Sequence, residues 1–211
     1  LARHGVREIM INTSHLAERI EQYFGDGRRF GVHIGYSFEG WIEDGKIVPF
    51  ALGSAGGMKH IQRFGGFFDE TAVVVCGDAL VDIDLTLALE EHKRKGALVS
   101  VITKEVPRDQ VSSYGIVVTD EFGRIRAFQE KPSPAEAQST WASAGIYLFE
   151  PAALDLIPDD RVFDIGGDLF PLLAKHGLPF FAQRHAFRWV DIGKVSDYWE
   201  ATQRIMRGEI P

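Results

Sequence analysis

At residues 71–78 the chain reads T-A-V-V-V-C-G-D, an apolar run of β-formers that stops at Gly77 and is followed at once by the carboxylate of Asp78. A run bounded in this way reads as a buried strand of a parallel sheet, and ligands of open α/β sheets gather beyond the carboxyl ends of such strands. Asp78 therefore stands where a metal or a phosphate would bind. Cys76, the single cysteine, excludes an internal disulfide, and its position inside the run reads as a packed thiol.

The flanking sequence alternates strand and helix signals. Residues 7–13 read as a strand, Ser14 as the cap of a helix running to residue 24, and Gly25 as its end. Residues 32–38 alternate apolar and polar, and Asp44-Gly45 inside 41–50 is a hairpin turn signal. A loop from residue 53 enters a helix to about 64. Beyond the 71–76 strand come a helix over 85–95 closed by Gly96 and a strand over 98–103. This order predicts parallel βαβ units. The second half changes character, with a hairpin at 115–118 and 124–129, a strand over 141–149, helices over 164–175 and 195–207, and strands near 180–183 and 188–190. No repeat or linker interrupts the chain, which reads as one domain over 1–211 with an α+β annex.

Charge and composition remove several classes. A formal net charge of −7 disfavours a nucleic-acid surface, which needs a clustered basic face. No apolar run reaches the roughly 20 residues that cross a bilayer, and the first residues lack the ordered regions of a secretory signal, so the expected compartment is the cytoplasm and no membrane partner is expected. The seven histidines are dispersed and lack the close pairing of a zinc site. Leu1 opens the chain in what reads as the end of a helix, so residues ahead of it are expected.

Several short motifs could carry chemistry. L-G-S-A-G-G-M-K at 52–59 is a small-residue loop at a helix N-terminus, where close backbone approach and free N–H groups suit an anion or a base edge. Read blandly, it is an ordinary glycine-rich connection. Asp191, in W-V-D-I-G, is either a second metal carboxylate beside Asp78 or a turn residue ahead of Gly193, and two carboxylates suit Mg²⁺ with substrate phosphates. Asp82 and Asp84 spell D-x-D, although Asp84 reads better as the cap of the following helix. F-Q-E-K-P sets Glu130 and Lys131 side by side at a strand exit, suited to hydroxyls and a phosphate or simply an exposed charge pair.

Taken in order, L-G-S-A-G-G, V-V-C-G-D, S-Y-G-I-V, F-Q-E-K-P, A-S-A-G-I-Y and W-V-D-I-G-K-V-S-D-Y-W-E-A resemble the sugar-1-phosphate nucleotidyltransferases, the family of mannose-1-phosphate guanylyltransferases and glucose-1-phosphate thymidylyltransferases. The resemblance covers residues 6–206. It implies an α/β fold with a doubly wound, mainly parallel Rossmann-like sheet for the nucleotide and a smaller strand-rich portion for the sugar. It implies that Gly53, Ala55 and Gly56 approach the nucleobase and ribose, and that Asp78 and Asp191 hold Mg²⁺. Tyr114, Gly115, Glu130 and Ser143 would contact the sugar, and Lys131 its phosphate. The implied partners are a nucleoside triphosphate and a sugar 1-phosphate, with a homo-oligomer left open.

The sequence departs from the family in three places. The strand, glycine-rich loop and Pro-Lys pair with which members begin would lie upstream of Leu1; residues 41–50 look inserted; and Lys194 stands where Thr is common. The missing loop motivates an alternative reading as a non-catalytic sugar-nucleotide binding module. A metal-dependent glycosyltransferase using Asp82 and Asp84 is a third reading.

Overall fold

The structure is a computed structural model describing residues 1–43, 46–159 and 161–210. It divides into two compact units, the first formed by Leu1–Asp69 with Leu154–Leu169, the second by Glu70–Ala153 with Phe170–Pro211.

The first unit opens with a single 3₁₀ turn closed by Gly5 at φ +81°, followed by β1 (Glu8–Thr13). Helix α1 (Ala17–Phe24) begins later than the sequence signal suggests. Ser14 does not cap it; a turn intervenes, and Leu16 enters the helix at φ +54° without any side-chain cap. Its end agrees with expectation, because the Gly25 N–H donates to the Glu21 carbonyl. Strand β2 (His33–Phe38) pairs in parallel with β1, Ile9 opposite Ile34 and Ile11 opposite Tyr36.

Strands β3 (Gly40–Glu43) and β4 (Lys46–Pro49) form an antiparallel ribbon with Glu43 opposite Lys46. The expected Asp44-Gly45 turn lies outside the described residues. Helix α2 (Ser54–Gly65) completes the unit, entered through Gly53 at φ +80°. Glu39 is buried beneath it, accepting from Asn12 Nδ2 at 2.7 Å and from the Leu52 N–H at 3.2 Å. Gly57 lies against both side chains, leaving no room for a Cβ.

The second unit comprises β5 (Ala72–Val75), β6 (Ala79–Val81), α3 (Leu85–Arg94), β7 (Val99–Glu105), β8 (Gly115–Thr119), β9 (Ile125–Glu130), β10 (Trp141–Phe149), α4 (Phe170–Lys175), β11 (Phe180–Arg184), β12 (Trp189–Asp191) and α5 (Val195–Met206). The helix expected over 164–175 is split: a π-helical turn over Ile165–Leu169 belongs to the first unit, and α4 begins at Phe170 in the second.

A six-stranded sheet forms the heart of this unit, in the order β11-β7-β10-β8-β9 with β5 also paired to β10. Strands β7 and β11 are parallel neighbours, whereas β10 runs antiparallel to β5, β7 and β8. Strands β5 and β7 therefore point the same way, as a β-helix-β crossover requires, but β10 lies between them. A helical connection can pass over an intervening strand as readily as it reaches an adjacent one. The sheet is thus mixed in direction, within an α/β architecture.

Burial along β10 alternates regularly, and Val99, Val101, Leu148, Phe149, Phe170 and Phe180 are fully enclosed. Stacking of the Phe170 and Phe180 rings, centroids 4.9 Å apart, ties α4 to the sheet. Among the described residues no helix is long and apolar enough to cross a membrane.

Candidate functional site

Strand β5 ends at Val75, and the chain then turns into β6, which forms a separate antiparallel ribbon with β12. This ribbon brings distant residues together: Asp191 is the last residue of β12 and lies opposite Ala79, and the Ile192 N–H donates to the Asp78 carbonyl at 2.9 Å. Asp78 and Asp191 are therefore neighbours across the end of the ribbon. Burial pushes the Asp191 carboxyl above its ordinary value, the negative charges of Asp78 and Asp197 push it further, and Lys131 pulls it back. Among the described residues neither Asp78 nor Asp191 accepts a hydrogen bond or forms an ion pair through its carboxylate.

Asp197, in the first turn of α5, did not stand out in the sequence. A Cβ on Gly193 would lie 3.8 Å from Asp191 Oδ2 and 3.9 Å from Asp197 Oδ2, so both carboxylates reach toward the same glycine. The signal that hides it is its position, since an acidic residue in a helix's first turn is explained by the helix dipole alone.

The β8–β9 hairpin delivers four more of the sequence-predicted residues. Gly115 lies opposite Glu130, and a Cβ on Gly115 would stand 3.3 Å from Glu130 Oε2 and 2.8 Å from a Phe128 ring carbon. Lys131 follows at φ +46°, a left-handed conformation uncommon outside glycine, and its N–H donates to the Tyr114 carbonyl at 3.1 Å. The Tyr114 ring packs on Trp189 with centroids 5.0 Å apart, two residues before Asp191. Burial, then the charges of Asp191 and Asp197, push the Tyr114 phenol upward, so it remains a hydroxyl donor.

Ser143 lies on β10, where the register shifts before Tyr147 and Gly145 adopts φ +70°. Its Oγ donates to the Tyr147 hydroxyl at 3.2 Å. Burial pushes the Tyr147 phenol up to about 12, against the lowering effect of its hydrogen bond with Ser143 and with the Glu130 charge adding to it. The Gly145 carbonyl accepts from the Cys76 N–H at 2.9 Å. Cys76, expected within a strand as a packed thiol, lies just beyond β5 and is exposed. Partial burial of the thiol and the charges of Asp78 and Asp191 raise its pKa, so it stays protonated.

Gly53, Ala55 and Gly56 belong to the first unit, at the start of α2. The free N–H groups expected there are occupied. Ala55 and Gly56 donate to the Phe163 carbonyl at 3.0 and 2.9 Å, and the Ser54 N–H donates to Asp164 Oδ1 at 3.1 Å. A Cβ on Gly53 would sit 2.6 Å from the Phe163 oxygen, so the glycine is required by this close chain packing as well as by its positive φ. Intramolecular capping satisfies the donors that the sequence pattern offered to a ligand.

The D-x-D motif is also consumed by structure. Asp84 caps α3, accepting from the Thr86 and Leu87 N–H groups at 2.9 and 3.2 Å, and Asp82 accepts from the Arg188 N–H. Among the described residues no group of three or more His, Cys, Asp or Glu side chains gathers into a protein-only metal cage. The acidic pair offers two hard oxygen ligands, the number Mg²⁺ takes from a protein when substrate phosphates complete its shell.

Residues 1–208 match the sequence profile of the family described as nucleotidyl transferase. The chain is 59% identical over 210 residues to a UTP–glucose-1-phosphate uridylyltransferase of Synechocystis sp., an alignment covering all of this chain and 54% of that protein. It is 30% identical over 214 residues to a mannose-1-phosphate guanylyltransferase of Mycobacterium tuberculosis, again all of this chain and 55% of the relative. The chain thus spans about half the length of the curated relatives it matches. Among solved structures, a UDP-glucose pyrophosphorylase complexed with UDP-glucose superposes with a TM-score of 0.79 over 98% of this chain and 83% of that one. At 19% identity that likeness shows the shared Rossmann-like α/β fold.

Proposed function

The chain belongs to the nucleotidyl transferase family, and from that premise we propose that the protein joins a sugar 1-phosphate to a nucleoside triphosphate, releasing pyrophosphate. The proximity of Asp78 and Asp191, with Lys131 acting on the same carboxyl, is the observation that carries this reading. The 59% identity to a uridylyltransferase, against 30% to a guanylyltransferase, favours UTP and glucose 1-phosphate as the substrates.

In the proposed reaction a phosphate oxygen of the sugar 1-phosphate attacks the α-phosphorus of the triphosphate. The new P–O bond forms as the bond to the β-phosphate breaks, and pyrophosphate departs with that electron pair. Such transfers depend on positioning and charge neutralisation more than on covalent chemistry by the protein. Asp78 and Asp191 fit Mg²⁺, because two adjacent carboxylates without a cation partner, one of them already held above its ordinary pKa, present uncompensated negative charge. When bound, the ion supplies neutralisation of the triphosphate's charge.

Lys131 binds the phosphate of the sugar 1-phosphate, held in place by the left-handed backbone and its bond to Tyr114. Glu130 and the hydroxyls of Tyr114 and Ser143 bind sugar hydroxyls, and Gly115 contacts the sugar through its backbone, the room left by its missing Cβ being taken by the Phe128 ring. Gly53, Ala55 and Gly56 meet the nucleobase and ribose by close packing, since their first-turn donors are engaged. The test is Mg²⁺-dependent exchange of labelled pyrophosphate into UTP in the presence of UDP-glucose, using the whole protein. Exchange with UTP well above that with GTP, dTTP or ATP is expected. Full exchange in both Asp78→Asn and Asp191→Asn proteins would remove the assignment.

A further inference from the structure

Away from the acidic centre, the first unit carries a cleft of about 60 Å³ between α2 and the chain around Pro158, Asp159 and Arg161. It is a small, open depression, with room for a compact group such as a phosphate and not for a whole metabolite. Lys59 and Arg63 are one helical turn apart on α2, as are His60 and Phe64, so all four present toward one side. Arg161 lines the same cleft. Basic groups thus outnumber the single lining carboxylate, Asp159, in a chain whose net charge is −7.

These charges are weakly compensated. Lys59 Nζ donates to the Leu154 carbonyl at 3.1 Å and lies 4.0 Å from Asp159 Oδ1, whose side chain is 59% exposed. Among the described residues neither Arg63 nor Arg161 has a carboxylate partner; their guanidinium groups lie 5.5 Å and 5.1 Å from the Phe64 and Phe163 rings. Planar guanidinium groups left with their N–H donors unpaired match the oxygens of a phosphate. Phe64, 71% exposed with its ring 4.7 Å between centroids from His60, also lines the cleft.

We propose that this cleft binds the phosphate group of a small metabolite, with Arg63 and Arg161 as its main contacts and Phe64 beside the organic part. The site uses neither Asp78, Asp191 nor Lys131; it shares Gly56 with the surface proposed above for the nucleobase, so its test rests on Arg63 and Arg161. Inorganic phosphates and nucleoside phosphates share the chemistry, and the experiment separates them.

The isotope-labelled protein is titrated with sodium pyrophosphate and, separately, with uridine 5′-monophosphate, at ionic strength held constant with sodium chloride, and amide shifts are followed. Saturable shifts of residues 59–64 and 161–163 are expected with both. Combined Arg63→Ala and Arg161→Ala substitution should weaken binding by about tenfold or more, with the thermal midpoint unchanged. Tighter binding of the nucleotide, lost in Phe64→Ala, places an organic group on that ring; equal binding would overturn the role of Phe64. Absence of shifts at the cleft, shifts reproduced by sodium chloride alone, or unaltered binding in the double variant would overturn the site.

Discussion

Two pairs of aspartates in the second unit behave in opposite ways. Asp82 and Asp84 are close in sequence, and backbone N–H groups engage both, one from the chain near Arg188 and two from the first turn of α3. Asp78 and Asp191 are far apart in sequence, meet at the end of the β6–β12 ribbon, and receive no such donors among the described residues. A carboxylate next to a helix start finds local N–H partners and is spent on structure. Carboxylates brought together by tertiary pairing repel each other, and the pKa of Asp191 is raised by burial first and by that repulsion second. The contrast shows that the pair with the more suggestive spacing is structural, and the pair with none is left for a ligand.

The contrast breaks most visibly in activity. Asp78→Asn or Asp191→Asn in the whole protein should reduce pyrophosphate exchange by roughly 10²–10³-fold or more, by analogy with the loss of other charge-stabilising groups. Thermal midpoints should hold or rise, because each substitution removes one of two facing negative charges. A fall in midpoint with exchange intact would reverse the comparison. Asp84→Ala should do the opposite, losing about 1 kcal/mol of stability in denaturant melts while exchange per folded molecule is kept.

A third carboxylate sharpens the point. Glu150 accepts from Thr71 Oγ1 at 2.7 Å and meets the buried His92 Nε2 at 3.1 Å, while His92 Nδ1 meets Ser100 Oγ at 2.7 Å. The arrangement has the residue types of a nucleophilic triad, but His92 and Ser100 are fully enclosed and no substrate reaches them. Burial depresses the His92 pKa below its ordinary 6.5, against the opposing pull of Glu150. Unfolded chains therefore take up this proton as pH falls below about 6.5, while the folded protein resists until lower pH. Stability is full above that range and is lost as pH drops through it. Urea midpoints at pH 7.5 and pH 5 should differ in that direction, and His92→Gln should flatten the difference.

The smallest effect is a titration. By carbon-13 spectroscopy the Asp191 carboxyl should titrate above 3.8 and move back toward it in Asp78→Asn protein. Because its folded pKa is raised, its contribution to stability declines as pH rises from 3.8 through the folded value. An Asp191 midpoint unmoved by the substitution would show that burial and Asp197, and not Asp78, hold it up.

Local signals served well where structure is local. Gly25 closes α1, Asp84 caps α3, and the hairpin at β8 and β9 sits where D-E-F-G placed it. They misled where a distant segment intervened. The start of α2 reads as a nest of free N–H groups, yet residues 163–164 return from far along the chain to occupy them. Ser14 is a good cap by type, but the intervening turn at Leu16 moves the helix start beyond its reach. Asp197 went unnoticed because a helix dipole explains it without reference to Asp191.

The order of strands and helices, the carboxylate placed just past a β-strand end, and membership of the nucleotidyl transferase family were all contained in the amino-acid sequence, since propensity, capping and motif order act over a few residues. Tertiary structure alone decided that β10 runs between β5 and β7, that the Phe163 carbonyl closes the start of α2, and that Asp78 and Asp191 become neighbours. Those outcomes depend on which distant segments bury each other's backbone groups, and burial of that kind is settled by the whole chain at once.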